Sequence, residues 1–193
     1  MFSGIIRHRG ILKRHQHKTI ADQFVVAIPK LLAKVGDSIA VNGVCLTVEK
    51  QQRHEYTFSV MPETMRRTTL SKINIGEALN IEPSLRLKDA VDGHFVFGHV
   101  DAACRVEETV SNARGRRLVF RLPAKAKGLV AEKGSIAIDG VSLTVAAVSS
   151  VSCSVFLIPY TTTHTTLGLL KKGRYANVEF DMLARYVNAQ ISR

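Results

Sequence analysis

Residues 38–48, Ser-Ile-Ala-Val-Asn-Gly-Val-Cys-Leu-Thr-Val, return as residues 135–145, Ser-Ile-Ala-Ile-Asp-Gly-Val-Ser-Leu-Thr-Val, with eight of eleven positions identical. At the same offset of 97 residues, Pro62–Thr64 and Thr68–Leu70 reappear as Pro159–Thr161 and Thr165–Leu167, and Gly76 and Leu79–Glu82 as Gly173 and Ala176–Glu179. Agreement at this many places in one register excludes chance. The 193 residues are therefore a duplicated domain, each copy roughly 90 to 100 residues long and able to bury a modest core of its own. Two versions of one binding unit suit two similar ligands, or one ligand with two similar halves.

Most of each copy reads as short strands broken by turn residues. Gln23–Ile28, Ser38–Val48, Tyr56–Val60 and Ala78–Glu82 are rich in β-branched and aromatic residues, with Gly36, Gly43 and Gly76 at the breaks. The second copy is read as His94–Val106, Leu118–Arg121, Ser135–Val148, Ser152–Ile158 and Tyr175–Phe180. Strands at this spacing, without long helices between them, point to an antiparallel barrel or sandwich in each half. Short helical turns are expected at Met65–Leu70, Thr162–Leu169 and Ala126–Glu132. A terminal helix is expected over Asp181–Arg193, where Leu183, Val187 and Ile191 form an apolar stripe. Belonging to neither repeat, that helix has its own barrel or another subunit as its docking surface.

A formal charge of +11 raises the question of an anionic partner. The basic residues cluster at Arg7–Lys18 and Arg114–Arg121 without interleaved aromatics, so they read as solvated hairpin tips and not as a base-stacking surface; specific nucleic-acid binding is not expected. No apolar run reaches the roughly 20 residues of a spanning helix. Met1–Ile6 is apolar but short and lacks a preceding basic segment, so it does not read as a secretory signal, and a cytoplasmic protein is expected. Cys45, Cys104 and Cys153 lack C-x-x-C spacing and read as free thiols; neither a disulfide framework nor a metal site is expected.

The opening Met1–Ile6, the paired Gly-x-Cys-Leu-Thr-Val and Gly-x-Ser-Leu-Thr-Val signatures, and Gly93–Asp101 together resemble riboflavin synthase in its form with two lumazine-binding repeats. The resemblance covers almost the whole chain. It implies two closed six-stranded Greek-key barrels, over residues 1–94 and 95–180, with the helix at 181–193. It also implies a dismutation in which two 6,7-dimethyl-8-ribityllumazine molecules give riboflavin and 5-amino-6-ribitylamino-uracil, without cofactor or metal. A homotrimer is implied, with the first barrel of one subunit facing the second of another, and lumazine synthase as an associated protein. The alternative within the same fold is a non-catalytic lumazine or flavin carrier.

By that resemblance the first pocket is formed by Gly4, Ile5 and Ile6, by Cys45, Leu46 and Thr47, and by Ser59, Val60, Met61, Pro62, Glu63 and Thr64. The second takes Gly98, His99 and Val100, Lys133, Ser142, Leu143 and Thr144, with Phe156, Leu157, Ile158, Pro159, Tyr160 and Thr161. Small hydroxyl side chains and open backbone groups suit a ribityl chain and a ring imide. The repeats differ where chemistry would sit: Cys45 stands opposite Ser142, Ile5 opposite His99, and Ser84 opposite Asp181. The expected roles are His99 for proton transfer, Ser142 and Thr144 as hydrogen-bonding partners, Asp181 as an orienting or proton-accepting carboxylate and Cys45 as a participant from the facing pocket.

Plainer readings stand beside these. His94 and His99, five apart in an apparent strand, cannot share a face. Cys45 alone suits a small core position, Asp181 suits a helix N-cap, Asn42 and Asp139 suit turns, and the threonine pairs at 68–69 and 165–166 suit helix caps. Phe97, Ala102, Tyr160 and Ser3 depart from the residues usual in the family, placing aromatic bulk near the second pocket.

Overall fold

The computed structural model describes residues 1–112 and 115–191; Arg114 of the second basic cluster and the last two residues of the expected helix, Ser192 and Arg193, lie outside them. The first barrel is built from β1 (His8–Gln16), β2 (Asp22–Ala27), β3 (Ser38–Val41), β4 (Val44–Gln52), β5 (Glu55–Val60) and β6 (Ala78–Pro83). The second uses β7 (Ala102–Asn112), β8 (Gly115–Arg121), β9 (Ser135–Ile138), β10 (Val141–Val148), β11 (Ser152–Leu157) and β12 (Tyr175–Phe180). Each closes in the same antiparallel order, β1-β2-β5-β4-β3-β6 and its equivalent, which leaves no open sheet edge among the described residues.

Alternation fills the two interiors. In β5, Tyr56, Phe58 and Val60 are buried while Glu55, Thr57 and Ser59 are not. In the second barrel Val106, Leu118, Phe120, Ile136, Ile138 and Val155 are wholly enclosed. Register shifts in β1 and β4 recur in β7 and β10, the extra residue in each bending a strand around its barrel. The repeat thus preserves the irregularities as well as the pattern.

Three expectations are corrected. The basic stretch at Arg7–Lys18 is mostly strand β1, whose Gly10 and Leu12 point inward between charged neighbours. Gly10 is needed there, because a Cβ would stand 2.8 Å from Val26 Cγ1. His94–Val106 is not one strand: residues 94–101 are irregular, tied down by an isolated bridge between Phe2 and Val96, and β7 begins at Ala102. The helix expected at Ala126–Glu132 is a single tight turn over Ala124–Ala126.

Asn42-Gly43 and Asp139-Gly140 form the tips of equivalent hairpins, with all four residues at positive φ, the geometry of a primed two-residue turn. These tips meet across a pseudo-twofold axis. Asn80 donates through Nδ2 to the Asp139 carbonyl (3.0 Å), and its Oδ1 accepts from Thr166 N–H (2.8 Å). Asn177 does the same to the Asn42 carbonyl (2.8 Å) and Thr69 N–H (2.7 Å). All four amide and turn side chains are buried, and each bond left unmade there would cost about 1–3 kcal/mol. This reciprocal network joins the barrels.

Helices α1 (Pro62–Arg67) and α2 (Pro159–His164) follow β5 and β11, each with proline in its first turn. The Thr68 and Thr165 hydroxyls accept from the Leu70 and Leu167 amides of the short 3-10 turns that follow, so these threonines serve as caps. Helix α3 (Met182–Ile191) starts at Asp181, whose Oδ1 accepts from Leu183 N–H at 2.9 Å. Arg185 ties α3 back through both oxygens of Asp101, at 2.9 Å each. None of its residues is buried, and Leu183, Tyr186, Val187 and Ile191 are more than half exposed.

Candidate functional site

Alternation in β4 sends Val44, Leu46 and Val48 into the first barrel and leaves Cys45 and Thr47 on its outer wall. The second signature repeats this in β10: Val141 and Val145 are buried, and Ser142 and Thr144 face outward. The two faces are therefore equivalent patches on the outsides of two barrels, each offering a small polar side chain one step from a threonine.

Each patch is completed by an arm that reaches it from the opposite repeat. Ser142 N–H donates to the Gly4 carbonyl at 2.8 Å, and Cys45 N–H donates to the Gly98 carbonyl at 3.0 Å. Ile6 packs against the core of the second barrel and Val100 against that of the first. The arms are anchored by buried carboxylates. Glu82 accepts from Ser3 and Gly4 N–H at 2.8 and 3.0 Å, and Glu179 from Phe97 and Gly98 N–H at 2.7 and 2.9 Å. Burial raises both carboxyl pKa values, and the donated hydrogen bonds oppose the rise.

Only glycine allows this approach. Gly4 and Gly98 have φ of +77° and +76°, and a Cβ on either would stand 2.6 Å from the Cβ of Ser142 or Cys45 respectively.

The grouping expected from the sequence is thus exchanged. Gly4, Ile5 and Ile6 belong with Ser142, Leu143 and Thr144; Gly98, His99 and Val100 belong with Cys45, Leu46 and Thr47. The physical reason is the Phe2–Val96 bridge, which crosses the two arms between the barrels, burying Phe2 and Val96 with Ala40 and Ala137.

The histidines are reassigned with them. His99 is exposed on the Cys45 side, its ring centroid 6.1 Å from that of Phe97. The histidine at Ser142 is His94, whose Nδ1 lies 2.7 Å from Ser142 Oγ. Burial lowers the His94 pKa and the negative charge of Asp181 acts the other way, so Asp181 both caps α3 and bears on this pair. Sequence reasoning passed over His94 because strand alternation, the signal used to sort it from His99, does not apply to an irregular segment. The two histidines do go to different faces.

Among the other expected lining residues, Leu46, Val60 and Leu157 put their side chains into the barrel cores. Met61, Pro62 and Glu63 at the start of α1, and Phe156, Ile158, Pro159 and Tyr160 around the start of α2, are exposed beside the two patches, with Ser59, Thr64 and Thr161 half-buried. Lys133 is exposed at φ +65°, held by its N–H to the Val145 carbonyl at 2.8 Å. Cys45 is half-buried, whereas Cys104 and Cys153 lie in the second core with pKa values pushed up by burial to about 12 and about 11. A thiol with such a pKa stays protonated and inert.

Both patches are open. Among the described residues a cavity of about 460 Å³ lies instead between the barrels, lined by Asn42, Thr69, Lys72, Asp139, Thr166 and Tyr175 among others. It shares no residue with the Cys45 or Ser142 faces. An open face lined by hydroxyls and backbone groups can hold a flat polar heterocycle and its side chain, but a second surface must cover it to exclude water. No helix among the described residues is long and apolar enough to cross a membrane.

The profile of the lumazine binding domain matches residues 3–84 and again residues 97–181. The chain is 38% identical over 190 residues to riboflavin synthase of Photobacterium phosphoreum, covering 97% of this chain and 87% of the relative. It is 38% identical over 192 residues to that of Bacillus subtilis (97% and 88%). Over 186 residues it is 39% identical to that of Chlamydia trachomatis (96% and 92%). Among solved structures, LumP complexed with riboflavin superposes with a TM-score of 0.86 at 22% identity, over 93% of this chain and 99% of that one. LumP complexed with 6,7-dimethyl-8-(1'-D-ribityl) lumazine gives 0.84 at 22% identity, over 93% and 98%. These two likenesses speak for the fold.

Proposed function

Since the chain belongs to the riboflavin synthase family and carries its lumazine-binding domain twice, we propose that it catalyses the dismutation of two molecules of 6,7-dimethyl-8-ribityllumazine. Four carbons pass from one molecule to the other, and the products are riboflavin and 5-amino-6-ribitylamino-uracil. The observation that carries the proposal is the pair of equivalent outer patches, Cys45 with Thr47 and Ser142 with Thr144, each flanked by an arm of the other repeat and otherwise open. A reaction between two copies of one substrate needs two copies of one binding surface.

The patches lie on different barrels of one chain, so a stacked pair of substrates requires patches of two chains to face each other. We infer a homotrimer in which the first barrel of one subunit covers the second barrel of the next. The exposed apolar face of α3, with Leu183, Tyr186, Val187 and Ile191, supports an assembly through that helix. Facing patches would exclude water and fix the two rings in one geometry. Holding two reactants so replaces a bimolecular encounter and is worth up to roughly 7–11 kcal/mol of barrier in ideal cases.

The ring system supplies the electron sink for the acidic C7 methyl group, so the protein has to place hydrogen bonds and move protons. His94, its pKa lowered by burial and its Nδ1 2.7 Å from Ser142 Oγ, can take a proton from that hydroxyl or through it, and we assign His99 and Cys45 to the facing site. Asp181 tunes His94 by its charge.

The test is to mix the purified protein with 6,7-dimethyl-8-ribityllumazine and follow lumazine loss and riboflavin appearance together. Two consumed per riboflavin formed establishes the activity. Tight binding without turnover would overturn it in favour of a carrier.

A further inference from the structure

The end of the β1–β2 hairpin carries a cluster that the reaction does not use. His15 sits near the end of β1 and His17 one residue beyond that strand; Asp22 opens β2 on the return limb. Residues two apart on extended chain share a face, and both imidazoles turn to the one carboxylate. His15 Nε2 is 2.9 Å from Asp22 Oδ2 and His17 Nδ1 is 3.0 Å from Oδ1. The three donor atoms lie within 4.8 Å of one another.

Two of the three side chains are held in place. His15 and Asp22 are 17% and 16% exposed, and the His15 ring is tilted against Phe24, itself fully buried, at a centroid distance of 4.5 Å. His17, at 82%, stands open to solvent on the other side. The neighbouring cations do not compete for Asp22: Arg14 reaches Glu55 at 3.5 Å and Lys18 reaches the Gln23 amide oxygen at 3.0 Å.

Two imidazole nitrogens and a carboxylate are the donor set of many three-ligand zinc sites. Ligand bonds of about 2.0–2.2 Å place tetrahedral donors roughly 3.3–3.6 Å apart, so this cluster needs only small side-chain rotations to close on an ion. The ion would replace the ring protons that now lie between the imidazoles and the carboxylate, with water in the fourth place.

We propose that His15, His17 and Asp22 form a binding site for one divalent transition-metal ion of the zinc class, which clips the two limbs of this hairpin. Asp22 is in register with Val60, the residue before Met61 and α1. The clip therefore fixes the strand that leads into the wall of the Cys45 patch, and its role is structural.

The experiment uses the full-length protein freed of metal by chelation and titrated with Zn²⁺ in competition with a chromophoric chelator. His17→Ala and Asp22→Asn are compared with the native chain, and circular dichroism without metal verifies their folding. One zinc per native chain is expected. Affinity should fall at least about tenfold in His17→Ala, since loss of even a supporting partner of a ligand costs about 10- to 100-fold. Because His17 is largely solvated, that variant decides the matter if Asp22→Asn folds poorly. With Co²⁺ the native protein should show d–d bands and no thiolate charge-transfer band. Absence of stoichiometric binding, undiminished binding by His17→Ala, or a thiolate band that disappears in Cys45→Ser would each overturn the site.

Discussion

Asp139 and Asn42 occupy the same place in the two repeats, and the difference between them predicts a pH effect confined to one. Both sit at the first position of a primed turn, with φ of +43° and +45°. Both use Oδ1 to accept one backbone N–H at 2.7 Å, from Asn177 and Asn80 respectively. The neutral amide performs this without penalty. The carboxyl of Asp139 is fully buried, and burial pushes its pKa from the ordinary 3.8 up to about 7. A raised folded-state pKa means that the native chain binds the proton more tightly than the unfolded chain between these two values. Stability from this group therefore falls as pH rises through that window and is flat above it. Integrating between about pH 8 and about pH 5 gives a gain of about 2–3 kcal/mol on acidification.

Asp139→Asn should abolish this contribution. Urea unfolding of both proteins at the two pH values measures it as a difference of differences, which cancels the titration of His94, Glu82 and Glu179. At about pH 8 the variant should be the more stable by about 2–4 kcal/mol, the cost of holding the buried charge being gone. At about pH 5 the gap should be narrower by the same amount of about 2–3 kcal/mol. Equal pH profiles, or a variant less stable at the higher pH, would refute the reasoning.

Three further outcomes follow from the site. Gly98→Ala forces a side chain onto Cys45 at positive φ; strain of about 1–2 kcal/mol and overpacking of about 1–3 should lower stability by about 2–5 kcal/mol, read from denaturant midpoints. In Asp181→Asn the His94 pKa should fall further below its ordinary 6.5, because the charge opposing burial is removed, and an unchanged ring-proton titration by NMR would contradict this. A chain ending at Phe180 should sediment as a smaller species than the full chain; equal mass would remove α3 from the assembly.

The fold was largely legible because its signals are local. Strand alternation at Tyr56–Val60, the Asn42-Gly43 and Asp139-Gly140 turns and the threonine caps all follow from neighbouring residues, and the repeat supplied each of them twice. β1 was hidden because its outward face is almost wholly basic, so charge masked the inward Gly10 and Leu12. For the same reason His15 and His17 do not announce a shared face in the sequence. The patches were legible as signatures, but not the exchange of arms, since which repeat Gly98 touches is decided by a contact across the axis and not by anything near Gly98 in the chain. His94 was misjudged through that same gap.

The exchanged arms also bear on how such a chain can have arisen. Cut the connection between Pro83 and Val96, and the Phe2–Val96 bridge and the reciprocal Asn80 and Asn177 bonds become the contacts of a twofold dimer, each partner lending its leading segment to the other. A single repeat with these side chains would have no finished patch until it met its twin. Joined in one chain, the two halves carry serine against cysteine and aspartate against asparagine at matching places, a difference that two identical subunits could not hold.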